Sequence, residues 1–269
     1  MKTIWRISVF LLLTLLTQVG GFIYLLCLPV FHRIDKKQRN NYTRGGLKLA
    51  FFLIVYISLS LLVVPTIAGL FGRVPLPVSS SGNIRPNSLM TCLMNRHYVR
   101  KELLNVLNRA SAEIKLPIYY LDASFPFING FPLLPHWSHN DGKKLDLTYY
   151  YSDKMHPGEL QGSPSWMGYG FCEEPKPGEE DMPCDCARKG FHQYSMLRPL
   201  VPASLHEKYE VNTAATERLI RTLASDPSVS MIFIEPHLKQ RWKLSDVNKI
   251  KFHGCHAVRH DDHVHVQIR

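Results

Sequence analysis

Two stretches of the chain, residues 7–31 (ISVFLLLTLLTQVGGFIYLLCLPVF) and 49–71 (LAFFLIVYISLSLLVVPTIAGLF), contain no Asp, Glu, Lys or Arg. Each exceeds the roughly 20 apolar residues that cross a bilayer core as a helix. Hydrocarbon offers backbone groups no partners, so both stretches are predicted as transmembrane helices. The first is longer than the roughly 7–15-residue apolar core of a signal peptide and lacks a small-x-small end, so it is read as a retained span. Residues 73–90 (RVPLPVSSSGNIRPNSLM) are rich in Pro, Ser and Gly and read as a linker. The remainder, 91–269, has the size of one domain. Within it, helical spacing is expected over 96–114, with Leu103, Leu104, Leu107 and Ala110 on one face. Strands are expected over 117–123, 143–151, 229–234 and 262–268. A helix over 213–224, capped by Asn212, and a short one around 244–250 complete the pattern. Residues 152–211 lose periodicity and read as an irregular, cysteine-containing insertion. Helices and strands do not alternate strictly, so the fold class is α+β rather than a doubly wound sheet.

Charge sharpens the membrane reading. The chain has 32 Lys+Arg against 22 Asp+Glu, net +10. Half of that excess lies in the loop 32–48, where Arg33, Lys36, Lys37, Arg39, Arg44 and Lys48 face Asp35 alone. Lys2 and Arg6 add two more, and residues 73–269 are near neutral. A general nucleic-acid surface is therefore excluded. The positive-inside rule puts the 32–48 loop in the cytoplasm, so both termini and the domain are expected outside. Composition excludes disorder throughout, at 45% hydrophobic, and 6 cysteines in 269 residues are too few for a disulfide scaffold. Five cysteines (92, 172, 184, 186 and 255) fall in the outer part. An oxidising compartment would permit staples there, and the odd number leaves one over.

Histidine carries the candidate chemistry. Five of 13 fall in the last 17 residues: His253, His256, His260, His263 and His265. On an extended strand, His263 and His265 share one face and Val264 and Val266 the other, core-facing one. Upstream, His139 precedes an Asn140-Asp141-Gly142 turn and Asp146 lies on the strand that follows. Leu145 and Leu147 flank Asp146, so it is an acid on a strand with buried neighbours, costly unless paired or metal-bound. A salt bridge to Lys143 or an arginine is the competing explanation.

Ser-His139-x6-Asp146 followed by His260-Asp-Asp-His263-Val-His265 resembles the signature of the LAS-type zinc peptidases, and most of all the penicillin-insensitive murein endopeptidases. The resemblance spans roughly 115–269. It implies a small, mainly antiparallel sheet carrying Zn2+ on His139, Asp146 and His265, with His263 as catalytic base. It further implies hydrolysis of peptide crosslinks in peptidoglycan by a domain facing outward from a bacterial inner membrane. A D-Ala-D-Ala carboxypeptidase and a non-hydrolytic zinc-bearing wall-binding domain are the alternatives. If the strand is already extended there, His260 and Asp262 are expected on the face away from the metal, where supporting the ligands and packing are equally open roles. His136 is read as a loop histidine and His237 as helix-start packing. The acidic run 173–185 is read as a solvated loop, and Tyr149–Tyr151 as a sheet-surface stripe.

Overall fold

A computed structural model describes residues 2–133 and 138–269; His136 lies outside the described residues. The chain is a mixed α+β molecule in which an N-terminal helical unit packs under a sheet-containing domain.

The apolar stretch 7–31 is two helices, not one. α1 (Lys2–Thr17) and α2 (Gly20–Lys37) are separated at Gln18, whose φ of 64° breaks the helix. Twelve residues of continuous helix would hold Phe10 and Phe22 about 18 Å apart, yet their rings meet at 5.6 Å. The chain reverses tightly because Gly21 lets α2 sit against α1: a Cβ there would lie 2.5 Å from the Phe10 carbonyl. α3 (Asn41–Leu62) follows, with Asn40 capping it through Tyr42 and Thr43 N–H. Among the described residues α3 is the one helix long and apolar enough to cross a membrane. α4 (Val64–Leu70) continues toward the domain.

The turn between α1 and α2 points at the domain, since the buried Gln18 accepts a hydrogen bond from Phe127 N–H at 2.8 Å. At the same end, Tyr56 of α3 donates to the Leu93 carbonyl, and Asn95 donates to Tyr56 and Ser60. Val19, Tyr56, Val64 and Ala68 form one apolar cluster with Tyr98 of the domain. The N-terminal end of α1 thus lies far from the domain, beside the 38–40 turn, rather than at the domain's end as the two-span reading expects.

The stretch 73–90 carries two strands, β1 (Val74–Pro75) and β2 (Ile84–Pro86), and Leu76 and Ile84 enter the main core. Then come α5 (Leu89–Leu93), β3 (Tyr98–Val99), α6 (Lys101–Ile114), β4 (Ile118–Tyr120) and β5 (Lys144–Thr148). The helix expected from residue 96 starts at 101, because Tyr98 and Val99 pair with β1 and Arg100 is extended. Residues 152–211 are partly ordered by β6 (Tyr151–Asp153), β7 (His156–Gln161), α7 (Met182–Arg188), α8 (Ala203–Lys208) and β8 (Tyr209–Val211). β6 lies between β7 and β8 in a small antiparallel sheet.

The last elements are α9 (Thr213–Ser225), β9 (Val229–Phe233), α10 (Pro236–Arg241), β10 (Ile250–Lys251) and β11 (His263–Ile268). The short helix expected around 244–250 lies earlier, as α10. Pro236 starts it with its preset φ, and Lys243 at φ 52° stops the chain from continuing. The main sheet runs β10-β9-β11-β5-β4-β2, antiparallel in its centre and parallel at its edge pairs. Leu145, Leu147, Val264 and Val266 share one core with Leu103, Leu107 and Ile114 of α6 and with Leu219, Ile220 and Leu223 of α9. That covered face leaves the other face of β5 and β11 for polar side chains.

Candidate metal centre

Strand pairing assembles the site. β5 and β11 are antiparallel neighbours, with His265 opposite Asp146 and His263 opposite Thr148. Residues opposite each other in such a pair share a face, with Cβ atoms about 4.5–5.5 Å apart. The period-2 pattern that buries the Leu and Val residues therefore forces Asp146, His263 and His265 together on the reverse face.

His139 arrives from the loop before β5. The Asp141 carboxylate accepts from Lys143 N–H at 2.9 Å and Gly142 takes φ 76°, so the chain turns back into the strand. Lys144 reaches Asp141 at 3.0 Å. Asp146 is met instead by imidazoles. Its Oδ1 lies 2.9 Å from His265 Nδ1, 3.2 Å from His139 Nε2 and 3.7 Å from His263 Nε2. His139 Nε2 and His265 Nδ1 are 3.0 Å apart.

His139, Asp146 and His265 could hold a metal ion. Bonds of about 2.1 Å at tetrahedral angles separate neighbouring donors by about 3.4 Å, so the triangle needs to open by no more than about 0.5 Å. The donor chemistry agrees. His139 Nδ1 lies 3.2 Å from the Ala123 carbonyl, which fixes the tautomer that bares Nε2 as an acceptor when the ring is neutral. That acceptor and a carboxylate oxygen then face each other at 3.2 Å, an arrangement a cation between them would stabilise.

The electrostatics divide the histidines. Burial pushes His265 down to about 4 despite Asp146, keeping it neutral as a ligand must be. Burial also opposes charge on His263, but Asp146 and Asp262 outweigh it and hold that imidazole up at about 9. Burial works against ionised Asp146 too; the neighbouring His139 and His263 nevertheless hold it well below the usual carboxylate range.

Two residues support the site: Tyr169, which sequence reasoning missed, and Asp262, whose role it left open. Tyr169, from the insertion, donates to Asp146 Oδ2 at 2.8 Å while accepting from Asp122 N–H. Asp262 does not face away: the strand begins only at His263, and the Asp262 carboxylate reaches His263 Nδ1 with Oδ1 and accepts from Gly170 N–H with Oδ2. An Asp immediately before a strand histidine was the available signal for the second, whereas nothing periodic marks Tyr169.

His260 is buried with its ring 4.8 Å from that of His263. His237 stays away, at the start of α10, its Nε2 2.7 Å from the Glu173 carbonyl. Tyr149 and Tyr151 are buried beneath the site, donating to the carbonyls of His260 and Asp262. The acidic run is solvated only in part: Glu180 and Asp181 are exposed, but Glu173 and Glu179 pair with Arg241, and Glu174 with Arg198 and Arg259. A disulfide joins Cys186 of α7 to Cys255, ahead of the segment that delivers His260–His265. No protein-family model matches the chain, and no curated protein is similar to it in sequence.

Proposed function

We propose that this protein is a membrane-anchored, zinc-dependent amide hydrolase that cleaves peptide bonds of peptidoglycan. The single observation that supports it is a three-donor cluster beside a third histidine, His263, oriented by its own carboxylate. Two imidazoles and one carboxylate suit Zn2+ and leave a fourth position for substrate chemistry. When bound, zinc acts as a Lewis acid and brings the pKa of water to about 7.

The chain's own residues supply the rest. His139, Asp146 and His265 would hold the ion, and Tyr169 would fix the Asp146 carboxylate. Asp262 holds His263 Nδ1, so Nε2 is turned toward Asp146 and the cluster. With a cation on Asp146 offsetting the carboxylate that keeps His263 protonated, the neutral imidazole would then take a proton from the attacking water and return it to the leaving amine. Asp262 stabilises the imidazolium formed in between, the role a buried acid plays behind a general base.

Membrane placement is part of the same proposal. α1 and α2 expose Ile4, Trp5, Leu11, Leu12, Phe22 and Leu26, a surface suited to lipid. Because α1 and α2 form a hairpin, Arg6 joins the basic residues of the 32–48 loop at one end. The positive-inside rule sends that end to the cytoplasm and the domain outward, to the cell wall of a bacterium.

One observation favours a second reading. His139, Asp146, His263 and His265 are each no more than 2% exposed, a burial that gives substrate no open path to the ion and suits a structural metal. The full-length protein in detergent separates the two: zinc per chain is measured by elemental analysis, and muropeptide products are followed for wild type and His263→Ala. Hydrolysis requires about one zinc per chain in both proteins and cleavage in wild type alone. Zinc without cleavage would leave a binding domain; no zinc would sink the site assignment.

A further inference from the structure

The helical unit contains a groove that the proposed hydrolysis does not use. It has a volume of about 1140 Å3 and lies between α1 and α3, floored by α2, at the end far from the domain. Its lining is sorted along its length. Arg6 of α1, Lys36 of α2, and Arg44 and Lys48 of α3 stand at the mouth, together with the single acid Asp35. Deeper in, each helix turns apolar, with Leu13, Tyr24, Leu28 and Phe52.

The mouth keeps an excess of positive charge. Asp35 Oδ1 binds Lys48 at 2.6 Å and Arg44 at 3.4 Å. Arg6 and Lys36, both exposed, have no carboxylate partner among the described residues. Gly45 on the wall has nothing within 4 Å of a Cβ position, so the groove stays open on the α3 side. A ligand that fits must be anionic at one end and hydrocarbon at the other, and must enter from the bilayer.

We propose that this groove binds an anionic phospholipid, its phosphate at Arg6, Lys36 and Arg44 and its acyl chains against Leu13, Leu28 and Phe52. The inference rests on the membrane placement proposed above and is independent of zinc and of hydrolysis. Basic pockets between membrane helices on the cytoplasmic side are suited to such head groups, with each Lys or Arg contributing up to about a fivefold preference.

Trp5 lines the groove and is 70% exposed, which makes it a reporter. The full-length protein is reconstituted into vesicles of dibrominated phosphatidylglycerol or dibrominated phosphatidylcholine diluted in unbrominated phosphatidylcholine. Trp5 quenching is taken as the difference from Trp5→Phe. We expect half-maximal quenching at about tenfold lower phosphatidylglycerol than phosphatidylcholine, and a preference below about twofold in Arg6→Gln/Lys36→Gln/Arg44→Gln. Equal quenching by both lipids, or a preference the triple variant retains, overturns the lipid site. Absence of quenching by either lipid overturns it too, and means that another protein segment fills the groove when the protein still floats with the vesicles. Failure to float is the separate result that removes the membrane placement itself.

Discussion

At the scale of single residues, the site rests on partners that hold its donors still. Tyr169 is the clearest, because its hydroxyl occupies the Asp146 oxygen opposite the one facing the imidazoles. Tyr169→Phe is expected to weaken zinc binding by about 10–100-fold without unfolding the domain, as loss of such outer partners does; competition with a chromophoric chelator measures it. Glu235 gives a pH-dependent test. Burial and then the nearby Asp261 push its carboxyl up to about 7 from an ordinary 4.5. A raised acid favours the fold when protonated, so its contribution is complete below about pH 4.5 and is lost as pH rises through about 7. Glu235→Gln removes the titration and should flatten the fall in stability across that window, by up to about 3 kcal/mol. Denaturant midpoints at pH 5 and pH 8 in the same metal state decide it, and identical slopes for the two proteins would refute the assignment. Alternation showed that His263 and His265 share a strand face and that Asp146 is an acid with buried neighbours, while joining them to His139 as one site was what the motif resemblance implied. Tyr169 was not legible, since it comes from an aperiodic loop whose position is set by tertiary contacts.

At the scale of elements, amphipathic patterning located α6, α9, β9 and β11 within a few residues, because each buries one face in the same core. It failed at 7–31, where uninterrupted hydrophobicity hides a reversal. Composition cannot distinguish one long helix from two packed on each other; Gln18, Gly20 and Gly21 make the difference through backbone conformation and close approach. Cysteine placement pointed to a staple on the insertion without giving its connectivity, which the structure supplies as Cys186–Cys255. The Cys186–Cys255 bridge closes 69 residues of chain, and a loop of that length is worth roughly 4 kcal/mol in the chain-entropy account. Cys255→Ser should therefore lower the melting temperature of the full-length protein by several degrees, and reductant should have the same effect on wild type but none on the variant.

At the scale of the whole molecule, the hairpin predicts a topology different from two simple spans. Reporter fusions at the N-terminus and at residue 40 should both read cytoplasmic and a C-terminal fusion should read external; an external N-terminus would contradict the α1–α2 reversal in the membrane. The junction between the helices and the domain has a consequence of its own. Arg73, three residues beyond α4, is fully buried, and its guanidinium donates to Ser124, Phe125, Asn129 and Asn140, the loop that leads to and from His139. An unstructured tether of 18 residues would let the domain roam about 20–25 Å from its anchor. With Arg73 locked into the fold, that roaming volume collapses. The proposed hydrolase would meet the wall at one fixed height above the lipid, like a blade on a short rigid stalk. Its search for substrate would then be two-dimensional, set by how fast the whole protein drifts in the plane of the membrane.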